Sequence, residues 1–416
     1  MLNHIGFVTS SVLIGLREYI IYLFSGNQLQ FIKNLAESLV PRNIFYVKVL
    51  QSIAADSKLL CPEAVEYLSA YTDQLEYSDS EIDREAIEIL RERDVVVEDI
   101  PRHSGLVSLV YKGTTSSGRP LALKIRRVGI VERLNEAIDE MQSLMDFLDW
   151  FPALQVLRLK EMFEENRKSL VGQTDYRIEV TNLRTMFNLN KSVNYVVVPA
   201  VHEEKTKGIE ERVIIMDWLE GRTLEKLEHE EKDDYSLILA KFGIKSLLFD
   251  GVYHGDFHKG NIIFMGTKDD PVIGVIDLGV MGELDRDTQG CFYHFFRSII
   301  DKDYESAIDS LMEGLISPRS RLEGLTGTER QELKDSLLAK FRSTLEEYKD
   351  LGLEQINDLN HVFKRYGLRF SKSLSRIQMS LAIAEGVNRG LEVEHPFFQQ
   401  IQRACRDMFP EALLSL

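Results

Sequence analysis

Asp256, Asn261 five positions later, and Asp277 at the close of a strand-like run stand at spacings that suit phosphoryl chemistry. Phosphoryl transfer asks for little covalent help. It needs metal ions bridging phosphates, a cation on the phosphates, and a base or orienting group for the acceptor hydroxyl. In His254-Gly255-Asp256-Phe257-His258-Lys259-Gly260-Asn261, Asp256 is placed to accept the acceptor proton. Asn261 and Asp277 offer the hard oxygen ligands that Mg²⁺ prefers. Each has a plainer role when taken alone: Asp256 could cap a turn, and Asp277 could start a tight Leu-Gly turn. Together they point to a chain that binds ATP with Mg²⁺ and passes on the terminal phosphate.

The phosphates also need a cation. Lys124 sits inside the apolar run Leu121-Ala122-Leu123-Lys124-Ile125. A lysine drawn into a low-dielectric setting keeps its charge only beside an anion. Glu179, in a helical stretch between two strand pairs, is the first candidate for that anion, ahead of Glu136 and Glu140. The run from His103 to Gly113 should cover the phosphates, since glycines let backbone N–H groups approach oxygen atoms. It retains Gly105 alone at the usual glycine positions, with His103 and Ser108 at the others. Gly105, Ser104, Met216 and Trp218 complete the candidate nucleotide-binding set. Lys259 is expected to approach the terminal phosphate, with a plain surface lysine as the alternative.

The elements that must position these groups follow from periodicity and punctuation. Phe31, Ile32, Leu35 and Leu39 form a helical stripe that Pro41 ends. Further helices are expected over Asn43 to Ala55 and from Pro62, a residue favoured in a first turn. Val107–Lys112 and Leu121–Ile125 flank a Thr-Ser-Ser-Gly turn and read as a β-hairpin. Tyr195–Val198 and Val213–Met216 read as a second hairpin. Asn261–Phe264 and Val272–Asp277 read as two short strands in an otherwise helical second half. The expected division is a helical extension over 1–95, a β-rich lobe over 96–220 and a helical lobe over 221–416. This is an α+β, two-lobe fold of the protein-kinase kind.

Bulk properties narrow the setting. A formal charge of −16 argues against a general nucleic-acid partner, which needs a basic footprint. Cys61, Cys291 and Cys405 lie far apart and make no metal-ligand pattern, as expected of thiols in a reducing compartment. Ser11 to Phe24 is apolar but interrupted by Arg17 and Glu18. It reads as too short for a membrane span and without the marks of a signal peptide, so an amphipathic helix is expected, packed on the protein or lying on a lipid surface. Cytoplasmic or peripheral-membrane placement follows.

Three kinase superfamilies share the Asp256 motif: protein kinases, aminoglycoside-phosphotransferase-like small-molecule kinases, and the UbiB family of atypical kinases (the aarF-domain proteins). Other segments resemble the third. Phe45-Tyr46-Val47-Lys48-Val49-Leu50-Gln51-Ser52, then Leu59-Leu60-Cys61-Pro62-Glu63, is similar to that family's KxGQ signature and its continuation. Gln173-Thr174-Asp175-Tyr176, with Glu179 and Asn182, resembles its ExD element. Tyr366-Gly367-Leu368 and Ala384-Glu385-Gly386-Val387 are similar to its last helices.

The resemblance implies an atypical kinase whose N-terminal helices pack over the cleft, with ATP binding and hydrolysis linked to ubiquinone or other isoprenoid-lipid metabolism, often at membranes. It makes Lys124 the nucleotide lysine, Glu179 its partner, Asp256 the catalytic aspartate, and Asn261 and Asp277 the metal ligands. It assigns a regulatory part to Lys48, Gln51 and Asp175. The chain departs from the pattern at Leu50, where KxGQ has glycine, at Gln173, where ExD has glutamate, and at His103-Ser104-Gly105, where the family has an alanine-rich loop. Gly255 stands where the arginine of His-Arg-Asp would be, which argues against control by a phosphorylated activation loop. Two other readings stay open: a small-molecule kinase, and a nucleotide-binding scaffold without turnover that serves a protein partner.

Overall fold

The computed structural model describes residues 2–55, 60–151, 159–348, 359, 361–391 and 397–408. The chain divides into two compact units: Met1–Thr185 with Pro199–Trp218, and Met186–Val198 with Leu219–Leu416.

The first unit begins with four helices, α1 (Leu2–Ser25), α2 (Gln28–Leu39), α3 (Phe45–Ala55) and α4 (Pro62–Asp73). Asn27 caps α2 by accepting the amide of Gln30, and Pro62 opens α4 where its missing N–H leaves nothing unpaired. Ile32, Ala36, Leu50, Ala64 and Leu68 close a small core among α2, α3 and α4. Leu50 is therefore a packing residue.

The extent of α1 corrects the expectation of a segment too short to span. Arg17 and Glu18 do not interrupt the helix. Glu18 is buried and accepts the Arg17 Nε at 2.6 Å and the Asn34 Nδ2 at 2.8 Å. Burial works to raise its pKa, and the Asn34 and Arg17 hydrogen bonds outweigh it, so the carboxyl lies below its ordinary value. His4–Ser25 is by length and composition apolar enough to cross a membrane, a test that a signal sequence or a core helix also meets. Much of the helix is uncovered within its unit: Leu13, Leu16, Leu23 and Phe24 are all exposed.

Beyond α5 (Arg84–Glu92), capped by the Asp83 side chain on the Ala86 amide, comes the sheet of the first unit. Its strands are β1 (Val95–Val97), β2 (His103–Ser104), β3 (Ser108–Thr115) and β4 (Pro120–Arg126). Helices α6 (Ile130–Leu148), α7 (Leu159–Gly172) and α8 (Tyr176–Asn190) follow. The chain passes through β5 (Val196–Val197), a part of the second unit, and returns as β6 (Val213–Asp217). The order is β1-β3-β4-β6, antiparallel throughout, with β2 beside β3. Alternation along the strands sends Leu109, Tyr111, Leu121, Leu123, Ile125, Val213 and Ile215 into one core with Ala86 and Leu90 of α5. Lys124 belongs to the other face.

The second unit contains α9 (Lys232–Ile244), a π-helical turn over Lys245–Asp250, and the strands β7 (Val252–His254), β8 (Ile262–Thr267), β9 (Asp270–Val275) and β10 (Met281–Glu283). Helices α10 (Arg286–Ile300), α11 (Tyr304–Gly314), α12 (Arg319–Glu323), α13 (Gly327–Tyr348), α14 (Lys372–Gly390) and α15 (Phe397–Met408) complete it. Two short strands, Ile316–Ser317 and Arg369–Phe370, pair among them. Phe292, Leu311, Leu337, Phe341, Phe363 and Ile377 anchor its core.

The expected hairpin of Tyr195–Val198 with Val213–Met216 does not form. Val196–Val197 pairs in parallel with β9, whereas β6 pairs with β4. Two runs rich in β-branched residues advertise strand character but not a partner.

Candidate functional site

In the first unit the site is built on β4. Lys124 stands opposite Val110 of β3 and Ile214 of β6. Because alternate residues share a face, Lys124, Ala122, Met216 and Lys112 lie on the side away from the α5 core. Met216 pairs with Ala122, one place along that face from Lys124. Just past β6, the Lys112 ammonium lies 4.8 Å from the centre of a Trp218 ring. Met216 and Trp218 thus offer apolar surface on the lysine's own side of the sheet.

Glu179 comes from the first turn of α8, whose start is fixed by Asp175 accepting the Arg177 amide at 3.1 Å. The Lys124 Nζ donates to Glu179 Oε1 at 2.7 Å and Oε2 at 2.8 Å, and both residues are buried. The ammonium also lies 5.9 Å from the centre of the Tyr176 ring. Of the two other glutamates, Glu140 accepts from Asn43 Nδ2 at 2.9 Å and Glu136 is exposed.

The loop between β2 and β3 closes with the Gly105 amide on the Ser108 carbonyl at 2.9 Å. Ser104 is buried. Its hydroxyl donates to the Leu75 carbonyl at 2.5 Å and accepts from Arg127 at 2.7 Å, so it fastens the hairpin to the chain after α4. Lys48 is half-buried on α3; Gln51 lies on the same helix, and its side chain falls outside the described residues. Asp175 forms an ion pair with Arg177, 2.9 Å from both Nε and a terminal nitrogen. The Arg177 hydrogen bond draws its carboxyl below the ordinary value.

In the second unit two strand pairs frame the loop that carries Asp256. On one side β7 pairs with β10, His254 opposite Met281. On the other β8 pairs with β9, Ile262 opposite Val275, and the Ile276 amide donates to the Asn261 carbonyl at 3.2 Å. Asn261 and Asp277 therefore leave neighbouring strand ends. The Asn261 Nδ2 donates to the Asp256 carbonyl at 2.8 Å, which leaves its Oδ1 as the acceptor end of the amide. Asp277 Oδ1 accepts the Gly279 amide at 2.9 Å, so this aspartate starts the Leu-Gly turn.

His254, a residue not singled out from the sequence, ties the loop down. Its Nδ1 accepts the Asp256 amide at 3.1 Å, and burial pushes its pKa below the ordinary value, keeping the ring neutral. Buried apolar neighbours on both sides of β7 were the one available signal. Gly255 is required by space: a Cβ there would lie 2.5 Å from Val280 Cγ1. Lys259 is held at the surface by Glu225 at 2.7 Å. A phosphate would have to compete with that carboxylate.

The donor set suits Mg²⁺ bound with a nucleotide. Among the described residues no three His, Cys, Asp or Glu side chains converge as a metal cluster. Mg²⁺ commonly takes one or two protein oxygens and fills its shell with phosphates and water. Asp277 and Asn261 fit that pattern.

A family model described as the ABC1 atypical kinase-like domain matches residues 97–311. A probable protein kinase UbiB of Xylella fastidiosa is 26% identical over 395 residues, covering 86% of this chain and 67% of that one. An uncharacterised Synechocystis protein, slr0889, is 25% identical over 345 residues, covering 78% and 80%. An uncharacterised chloroplastic aarF domain-containing protein kinase of Arabidopsis thaliana is 26% identical over 373 residues; the chain spans half of its length. Among solved structures, Rv3197 of Mycobacterium tuberculosis in complex with erythromycin superposes with a TM-score of 0.54 at 19% identity, over 87% of this chain and 91% of that one. That likeness is one of fold.

Proposed function

The chain belongs to the ABC1 atypical kinase-like family, and from that membership we propose that it binds Mg-ATP and transfers the terminal phosphoryl group to water or to a hydroxyl acceptor. The observation that carries the proposal is the buried, doubly hydrogen-bonded Lys124–Glu179 pair. Burying two charges is costly, and a structural purpose is met as well by apolar residues. A cation kept charged by a partner on a separate helix is what phosphate oxygens need.

Bound Mg-ATP supplies the transferable group and much of its charge neutralisation. Lys124 holds phosphate oxygens, while Met216 and Trp218 offer the base an apolar surface and Gly105 a close backbone approach. Asp277 and Asn261 hold the metal, and the Asp256 carbonyl fixes which end of the Asn261 amide does so. Asp256 takes the proton from the acceptor oxygen as the new O–P bond forms and the bond to the leaving diphosphate breaks. The family's link to isoprenoid-lipid metabolism makes a lipid hydroxyl or lipid surface the acceptor environment we favour. The exposed apolar side of α1 supports it.

The test compares wild type with Asp256→Asn, using ATP hydrolysis and Mg²⁺-dependent nucleotide binding. Lost turnover with binding within a few-fold of wild type is the expected result. A wild-type chain that binds Mg-ATP and turns over none, with or without lipid vesicles, overturns the enzyme reading and leaves a nucleotide-binding scaffold.

A further inference from the structure

One residue, Arg127, holds the loop between β2 and β3 from both ends. It directly follows β4. Its amide donates to the Val107 carbonyl at 2.9 Å, and its guanidinium donates to the Ser104 hydroxyl at 2.7 Å. The side chain is only 5% exposed. Two further bonds from the guanidinium leave the sheet and reach the Glu76 carbonyl at 3.0 Å and the Leu75 carbonyl at 3.4 Å. The Glu81 carboxylate, 3.4 Å away, matches the charge.

Residues 75–81 lie between α4, which ends at Asp73, and α5. They also meet the loop without the arginine. The Leu75 amide donates to the Ser104 carbonyl at 2.9 Å, and the Ser104 hydroxyl donates back to the Leu75 carbonyl at 2.5 Å. The Val128 amide donates to the Glu81 carbonyl at 2.9 Å. Glu81 in turn accepts the Ser78 amide at 2.8 Å and pairs with Arg133, which fixes the turn that ends the segment.

Such fastening does more than packing requires. Burial lowers the Arg127 pKa, with Glu81 working against it, and apolar residues would fill the space at less cost. What the guanidinium adds is direction, since charge-assisted bonds fix the groups that they join. A phosphate loop with three glycines can adapt to its ligand after binding. This one has Gly105 alone at those positions, so its shape must be set beforehand, and a shape set beforehand costs less ordering on binding.

We propose that residues 75–81 brace the loop over the phosphates, with Arg127 as the positioning residue that joins the two. The segment continues α4, so the helical extension acts on nucleotide affinity through it. Seated, the brace presents the Gly105 backbone in its receptive shape; released, it lets the loop drift. The effect on Mg-ATP rests on the kinase reading above; the latch between the two segments does not.

The experiment measures Mg-ATP affinity, turnover and amide exchange of the full chain. Arg127→Met removes every guanidinium bond and should weaken Mg-ATP binding about tenfold or more, while turnover at saturating nucleotide stays within about threefold. Arg127→Lys should recover part of the affinity. Ser104→Ala, a milder change should the arginine variants fail to fold, should weaken binding about threefold, and its effect should shrink in the Arg127→Met background. Without nucleotide, amide exchange over residues 75–81 and 104–108 should rise together by about tenfold or more in Arg127→Met. Leu90→Ala lowers stability in the core of the same unit without touching these bonds, and should leave affinity within about twofold of wild type. An equal loss of affinity in Leu90→Ala, or affinity within about twofold of wild type in Arg127→Met and Ser104→Ala alike, overturns the proposal. So does exchange that rises in one segment alone. Faster exchange in both, with no Mg-ATP binding by any chain including wild type, defeats the kinase reading and the nucleotide role with it; the latch stands.

Discussion

Both carboxylate oxygens of Glu179 accept hydrogen bonds from one ammonium, that of Lys124, at 2.7 and 2.8 Å. The lysine is bracketed in the middle of a sheet and the glutamate stands one turn into a helix 55 residues away. Attraction in a low-dielectric setting barely repays the desolvation of such a pair, and breaking it strands a charge.

Glu179→Leu alone should therefore destabilise the chain by about 3–5 kcal/mol, because Lys124 is left buried without its carboxylate. Lys124→Met with Glu179→Leu should recover most of that loss and still bind Mg-ATP at least about tenfold more weakly than wild type. Urea unfolding and nucleotide titration give the two readouts. A double variant that binds nucleotide normally would falsify the phosphate role.

Asp277 has two jobs that one substitution separates. Asp277→Asn keeps an oxygen for the Gly279 amide but loses the charge. Its unfolding midpoint should stay close to wild type while Mg²⁺-dependent nucleotide affinity falls about tenfold or more. Unchanged affinity would reduce Asp277 to a turn residue.

Gly255→Ala should cost about 1–3 kcal/mol, since its Cβ would overlap Val280 Cγ1. Adding Val280→Ala should return most of that stability. The check is a double-mutant cycle in urea; strict additivity of the two changes would show that the contact is not what excludes a side chain.

Acid should weaken the fold through His254. Its folded pKa is depressed by burial, so the unfolded chain takes up a proton first as pH falls. This contribution is complete above the unfolded value of about 6.5 and drains away below it until the pH passes the folded pKa. Between pH 7.5 and 5.5 wild type should lose up to about 1.4 kcal/mol more than His254→Asn. Parallel pH profiles for the two chains would show that His254 is not buried neutral.

On α1, Leu13, Leu16 and Leu23 are 60%, 53% and 64% exposed. Replacing all three by serine should lower co-sedimentation with phosphatidylcholine vesicles by about tenfold or more and leave the unfolding midpoint little changed, since each buried leucine is worth about 1.5–3 kcal/mol in an apolar phase. Equal sedimentation of the two chains would remove α1 as a lipid contact.

The parts of the site that could be read from the sequence are those held by local backbone. Asp256, Asn261 and Asp277 sit at loop and strand ends whose spacing is visible in the letters, and Lys124 announces itself as a charge amid Leu, Ala and Ile. The strands of Val107–Lys112 and Leu121–Ile125 were equally plain, because a Ser-Gly turn joins them. Long-range choices were less legible. Nothing in spacing decides between Glu179, Glu136 and Glu140; the geometry does, with Glu140 engaged by Asn43. The partner of Val196–Val197 was misassigned because valine-rich runs do not encode their neighbours. Glu18 hid the length of α1, since only the structure shows its charge matched by Arg17 and Asn34. The role of His254 depends on its burial and on its bond to the Asp256 amide, which spacing does not reveal.

The parallel seat of Val196–Val197 on β9 also governs how this chain can be cut. Residues 186–198 belong to the second unit although residues 199–218 return to the first, so neither unit is one continuous stretch. A fragment that starts after 220 discards β5 and bares the edge of β9 two residues before Asp277. An unpaired strand edge recruits other chains. A recombinant helical half made that way should self-associate at the strand leading into its metal ligand, and a fragment supplying residues 186–198 in trans should suppress it.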